Sequence, residues 1–331
     1  MRRHIPIASL ACLTMLSLAA CGGGSDADPA AYPEDDITLV VPFSAGGPTD
    51  TVARLIAEPM ATELGTDIVV QNVEGAGGTI AAGQVATAEP DGYEVLIHHI
   101  GMSTAPALYP DLPYEPLEDF ETVGLVTSVP MTIVARPDFE PETLEELVAY
   151  VQDNADTVTL ANAGVGAASQ LCGLLIEKAV GVDITEVPYD GTGPALTDLV
   201  GGQVDFMCDQ TTNTASQIQA GKVKGYAVTT AEPVEALPDL PTTADAGFPE
   251  IEVGVWHGLY VPAGTPDEVV DKLTAALEVA LEDQNVIDQM ATLGTTPSPA
   301  EDVTPDAHTA QLEGQLDLWT PIIQESGVSA G

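Results

Sequence analysis

The sequence predicts an α/β fold built on mostly parallel sheets. Three observations carry this expectation. After residue 35, short apolar and β-branched runs alternate with segments of helical spacing. The runs read as continuous apolar stretches, as parallel strands buried on both faces do. The passage from run to helix goes repeatedly through a Gly-rich turn, the pattern of strands alternating with helices in one chain.

The elements follow in order. Ile37-Thr38-Leu39-Val40-Val41 is the first strand. Thr49 to Leu64 spaces Val52, Leu55, Ile56, Met60 and Leu64 along one helical face and stops at Gly65. A strand over 67–73, a helix over 80–88 and a strand over 93–98 come next. Further strands are expected at 121–127, 131–136, 157–161, 184–188, 204–208, 223–229 and 252–261. Helices fit at 143–153, 168–180, 192–200, 212–220, 266–283 and 305–325. Pro-rich connectors lie at 109–118, 137–142 and 233–249.

The N-terminus stands outside this pattern. Arg2 and Arg3 precede a mostly apolar run, Ile5 to Ala20, too short for a membrane span and ending Leu18-Ala19-Ala20-Cys21. This reads as an export signal over residues 1–20. The ending resembles a bacterial lipoprotein box, which implies cleavage before Cys21, lipid on its thiol, and attachment to the membrane through that anchor. An ordinary signal peptide is the alternative. Residues 21–35, rich in Gly and Asp, suit a flexible tether.

The 331 residues are 45% apolar, enough for a substantial core. Lys and Arg number 8 against 51 Asp and Glu, a formal charge of −43. Loss of Arg2 and Arg3 with residues 1–20 leaves 6 cations and a charge of −45. So acidic a surface excludes nucleic-acid binding through a basic face and argues against electrostatic docking on anionic lipid. It fits a protein working in high salt, where self-repulsion is screened, or a bias of the lineage.

Two loops carry the chemistry. Val41-Pro42-Phe43-Ser44-Ala45-Gly46-Gly47-Pro48-Thr49-Asp50 joins the first strand to the first helix. Asn162-Ala163-Gly164-Val165-Gly166-Ala167-Ala168-Ser169 repeats the arrangement in the second half. Glycines allow tight turns, and the helix starts that follow offer N–H groups and a positive dipole end to an anion. Thr49 or Asp50 as a simple helix cap is the competing reading. The second loop looks like a degraded dinucleotide fingerprint, but Ser169 replaces its third Gly, and an exported protein meets little NAD. Gly75-Ala76-Gly77-Gly78 and Gly191-Thr192-Gly193-Pro194 are further Gly-rich turns, readable as tight packing. His98 and His99 are adjacent at a strand end and point to opposite faces, which disfavours a shared metal. No metal site and no cofactor are expected. A serine hydrolase using Ser44 or Ser169 lacks a Gly-x-Ser-x-Gly elbow and any pairing with His99 or His257 in the sequence.

These loops, with Pro90-Asp91-Gly92-Tyr93, Pro188-Tyr189-Asp190-Gly191-Thr192-Gly193-Pro194-Ala195, Leu199-Val200-Gly201-Gly202-Gln203-Val204-Asp205 and Leu237-Pro238-Asp239-Leu240-Pro241-Thr242, resemble the substrate-binding receptors of tripartite tricarboxylate transporters, the Bug family. The likeness runs in order over roughly residues 36–325. It implies a two-lobed, periplasmic-binding-protein-like (Venus flytrap) fold, each lobe a mostly parallel sheet flanked by helices. It implies a receptor, not an enzyme, that captures a small carboxylate, a di- or tricarboxylate or an aromatic one, and passes it to a membrane permease. A secreted hydrolase of small esters remains the alternative. Carried over, the binding loops are Phe43 to Asp50 and Ala163 to Gln170. Pro48 stands where the family usually has a small residue such as Ser, and Gln170 where His is common. The expected ligand-binding residues are Phe43, Ser44, Ala45, Gly46, Gly47, Thr49, Asp50, His99, Gly164, Gly166, Ser169, Gln170, Tyr189, Asp209 and Thr211. One lobe is expected over 36–134 and 258–331, the other over 135–257.

Cys172 and Cys208 are the thiols left once Cys12 is cleaved off and Cys21 acylated. Export to an oxidising compartment invites a disulfide between them, at the ligand-facing rim of the second lobe. Two buried thiols are the alternative.

Overall fold

The computed structural model describes residues 31–330. The expected signal segment 1–20, the lipidation candidate Cys21 and the tether up to residue 30 lie outside the described residues. No helix among those described is long and apolar enough to cross a membrane.

The chain runs β1 (Ile37–Val41), α1 (Pro48–Leu64), β2 (Ile68–Asn72), α2 (Thr79–Ala86), β3 (Glu94–His99), α3 (Gly101–Leu108) and β4 (Phe120–Ala135). It continues through α4 (Leu144–Asn154), β5 (Thr159–Asn162), α5 (Ala168–Val180), β6 (Thr185–Pro188), α6 (Thr192–Val200), β7 (Phe206–Gln210), α7 (Thr211–Gln219) and β8 (Lys224–Val228). It closes with β9 (Gly254–Pro262), α8 (Asp267–Glu282), α9 (Gln284–Thr292), β10 (Thr296–Pro297) and α10 (Pro305–Ser326).

The strand order is β2-β1-β3-β9-β4-β7-β5-β6, with β8 and β10 also on β4. Pairings away from the middle are parallel: β1 with β2 and β3, β5 with β6 and β7. The connecting strands β4 and β9 run antiparallel to their neighbours, so each lobe holds a mixed sheet with a parallel outer part.

The expected strands at 121–127 and 131–136 are one 16-residue strand, β4. Pro130, which suggested a break, sits where β4 changes partners. Up to Pro130 it pairs with β9, and from Met131 with β7. A residue without an N–H is tolerated at such a ladder end. Helices α3 and α9 were not expected. Pro106 and Gly101 mask the first, and the second begins directly after α8. There Asp283 accepts from the N–H groups of Asn285 and Val286 and starts a new helix.

The amphipathic faces explain the packing. In α1, Val52, Ala53, Ile56 and Met60 bury against Leu273 and Leu277 of α8, over Val123, Val126 and Leu259 of the strands. Helix α10 lies on α3 and β4. In the second lobe Leu147 and Val151 of α4, Leu171 and Ile176 of α5, and Phe206 of β7 share a core. Cys172 and Cys208 are disulfide-bonded within it, Cα atoms 6.1 Å apart. Both are fully buried, and the bridge ties α5 to β7 next to the cavity, which Ser169 and Asp209 line but neither cysteine does. Cys172 is in the second turn of α5, and β7 continues two residues past Cys208.

Candidate functional site

The first turns of four helices converge between the lobes. Pro48 and Thr49 of α1, Ala168 and Ser169 of α5, Thr192 of α6, and Gln210 before α7 all line one small cavity. None of the four helices is capped by its N-cap side chain. Phe43, His99, Ala163, Ala167 and Asp209 complete the lining, which contains no Lys or Arg. The cavity volume is about 20 Å³, room for roughly one water. The lobes are closed on each other: the Ser44 N–H donates to Asp190 O (3.3 Å), Tyr109 Oη to Val165 O (2.6 Å) and Thr104 Oγ1 to Gly166 O (3.3 Å).

Two glycines permit this approach. A methyl on Gly77 would overlap the carbonyl of Val165 from the opposite lobe, and Gly77 has φ +62°. A methyl on Gly191 would overlap the Ser44 hydroxyl. Gly-rich turns here let backbone meet backbone across the cleft.

The histidines are buried and neutral. The His99 N–H donates to His98 Nδ1 (2.8 Å), and the Gly101 N–H donates to His99 Nδ1 (2.9 Å). Both rings therefore carry their proton on Nε2. Burial drives His99 well below its ordinary value, helped by His98 and His257. Burial lowers His98 to about 4 and His257 to about 3. Although adjacent strand residues, His98 and His99 bring their rings to 5.0 Å, and His99 stacks on Phe43 at 4.7 Å. Thr49 Oγ1 lies 3.2 Å from His257 Nε2. Among the described residues no group of three His, Cys, Asp or Glu is placed to hold a metal ion.

Asp209 is the carboxylate of the cavity. Burial raises it to about 6, against the lowering pull of the Asn213 amide, the Thr192 hydroxyl and the Gln210 N–H.

Of the residues singled out from the sequence, Phe43, Thr49, His99, Ser169 and Asp209 line the cavity. Gly164 and Tyr189 line an adjoining cleft with Phe43 and Gly77. Ser44 is buried beside it with its hydroxyl unpartnered. Gly47 precedes α1. Ala45, Gly46 and Asp50 border an outer groove between α1 and α9. The Asp50 carboxylate accepts from the Gly46 N–H, Arg54 and Asn72. Burial raises that carboxyl, but these donors outweigh it and the net shift is downward. Gln170 accepts from the Gly166 N–H (3.4 Å), Ser169 Oγ from the Ala163 N–H (2.9 Å), and Thr211 donates to Gly294 O (3.1 Å). Thr192 and Gln210 line the cavity without having been singled out. The Gly191-Thr192-Gly193-Pro194 turn was the signal for Thr192; Gln210 lies between Asp209 and Thr211, both singled out, at the start of α7. Neither candidate nucleophile bonds a histidine: the Ser44 hydroxyl has no partner among the described residues, and the Ser169 hydroxyl is held by backbone.

Two lobes closing four helix starts on one cavity define a solute-binding protein of the periplasmic kind. The chain belongs to the tripartite tricarboxylate transporter family receptors, whose family model matches residues 52–328. It is 50% identical over 296 residues to the UPF0065 protein in the TAR-I ttuE-ttuC' intergenic region of Agrobacterium vitis, covering 89% of this chain and 86% of that one. It superposes on the periplasmic binding protein BugD with a TM-score of 0.88 at 51% identity, covering 90% of this chain and 99% of BugD. MatC from Rhodopseudomonas palustris, solved with bound malate, gives a TM-score of 0.86 at 42% identity, covering 88% and 100%. The receptor reading stands, and the hydrolase alternative finds no support: the family and these neighbours are binding proteins, not enzymes.

Proposed function

We propose that this protein captures a small carboxylate between its lobes and delivers it to the membrane permease of a tripartite transporter. The observation that carries this reading is the convergence of four uncapped helix N-termini on a cavity free of Lys and Arg. A net charge of −45 after export repels anions at long range, so attraction has to be local. Partial positive charges at helix starts supply it, with hydrogen bonds strengthened by the ligand's charge. The malate in MatC agrees with this chemistry.

Phe43, Thr49, His99, Ser169, Thr192, Asp209 and Gln210 form the contact set in this reading. Asp50, Gln170, Tyr189 and Thr211 hold the loops. The lobes comprise 36–134 with 258–331, and 135–257. Strand pairing supports this division, with the changeovers drawn in to Pro130/Met131 and to the start of β9. Cys21, exposed by cleavage after Ala20, carries the lipid that keeps the receptor at the membrane. Its mass signature is a diacylglycerol-modified N-terminal peptide; an unmodified Cys21 in membrane-extracted protein refutes the anchor.

A thermal-shift panel of mono-, di- and tricarboxylates tests the main reading. An acid at 100 times its Kd adds about 2.7 kcal/mol of stability. No shift with any acid, or turnover of an ester, overturns it.

A further inference from the structure

A receptor for anions with a buried carboxylate in its cavity poses an electrostatic problem. Asp209 is 1% exposed and lines the cavity. Its oxygens accept from the Gln210 N–H (2.8 Å) and the Asn213 amide. The elements around it offer little charge. Strand β4 presents Thr132, α5 Ser169, α6 Thr192 and α7 Asn213. The first lobe presents Phe43, Thr49 and His99. His99 is the other titratable group of the lining, with His98 and His257 packed behind it. A carboxylate ligand in this cavity therefore meets a like charge in a buried site with no cation between them. Two carboxylates in that position share a proton rather than both ionise.

We propose that capture of a carboxylate in this cavity takes up one proton at Asp209, so that the receptor holds its ligand more tightly as pH falls. The proton comes from solvent and becomes the hydrogen of an O–H donor from Asp209 to the ligand. This inference rests on the function proposed above. Burial in the closed cleft already raises Asp209 to about 6, so a neighbouring anion has only a short way to raise it past neutrality. The sign follows. At pH 7 the free carboxyl is mostly ionised and the bound one protonated, so binding weakens as pH rises. The limit is about tenfold per pH unit between the free and bound pKa values.

Calorimetric titration with malate, succinate, citrate and aspartate at pH 7, in buffers of small and large ionisation enthalpy, tests this. The expected result is uptake of close to one proton per ligand in the wild type, with Kd rising between pH 6.5 and 8. In Asp209→Asn, where the Asn213 amide can turn over to pair with the new amide, the expected result is no uptake and a flat affinity. Binding without uptake in the wild type overturns the coupling and leaves the receptor reading intact. Equal uptake in Asp209→Asn moves the proton to His99 and overturns it too. Tighter binding of aspartate without uptake shows that Asp209 pairs with an ammonium group and equally overturns it. Failure of every acid to bind overturns both readings. Should that variant not fold, His99→Gln in the same buffers decides: uptake retained assigns the proton to Asp209, and uptake lost assigns it to His99 and overturns the proposal.

Discussion

Single side chains here are placed to be neutral where neutrality is costly. His308 of α10 is fully buried against Tyr260 and Trp256, and neither ring nitrogen has a hydrogen-bond partner among the described residues. Burial lowers it to about 3, far below its unfolded value near 6.5. The unfolded chain therefore binds a proton that the folded chain refuses between those limits, and stability drains away as pH falls from 6.5 toward 3. Replacing His308 with Leu removes this dependence. From pH 6.5 to 4.5 the wild type is expected to lose about 2–3 kcal/mol relative to the variant. Urea titrations at the two pH values read this directly, and parallel losses in both proteins would refute it. Gly77 makes a different demand. Its positive φ and its contact with Val165 O belong to the closed state. Gly77→Ala is expected to leave circular dichroism unchanged while weakening carboxylate binding tenfold or more, about 1.4 kcal/mol. Wild-type affinity in that variant would mean that closure does not bring these backbones together.

At the level of elements, the disulfide is the clearest lever. It closes a loop with a sequence separation of 36, worth about 3–4 kcal/mol in the chain-entropy model. It joins the second turn of α5, whose first turn lines the cavity, to the middle of β7, directly before Asp209. Double replacement of Cys172 and Cys208 by Ala is expected to lower the urea midpoint and to weaken ligand binding, while α1 and α8 keep their packing. Thiol counting in denatured, unreduced mature protein should find neither of the two free. Most elements were legible because their signals are local. Gly65 ends α1 at φ +74°, where spacing and a C-cap agree. The continuity of β4 was not legible, because Pro130 reads as punctuation until the partner change is seen. In the site, the two loops were found from glycines before helix starts. Thr192 and Gln210 were missed because convergence of four turns is a property of strand order, and strand order is not written in any one loop. The burial of the disulfide depends likewise on where α5 lies across β7.

The whole molecule combines a closed cleft with a very small cavity. A cavity of about 20 Å³ cannot admit a dicarboxylate, so the lobes have to part before they close on one. Ligand shifts that equilibrium only by its preference for the closed form. Tyr109→Phe removes the Tyr109–Val165 hydrogen bond across the cleft and is expected to cost about 0.5–1.5 kcal/mol of affinity. Small-angle scattering should then show a larger radius of gyration for the ligand-free variant than for the wild type; identical profiles with unchanged affinity would remove this bond from the closure mechanism.

Strand β4 also bears on how the protein comes apart. It runs unbroken from one sheet into the other, with β9 and β10 on its first part and β7 and β8 on its last. The two lobes therefore share one backbone ladder instead of being joined by loops alone. Neither sheet can dissolve without stripping partners from the same strand. Amide hydrogen exchange should accordingly be slowest along Val123 to Ala135, at one common opening free energy on both sides of Pro130. The outer strands β2 and β6 should exchange through smaller, separate openings.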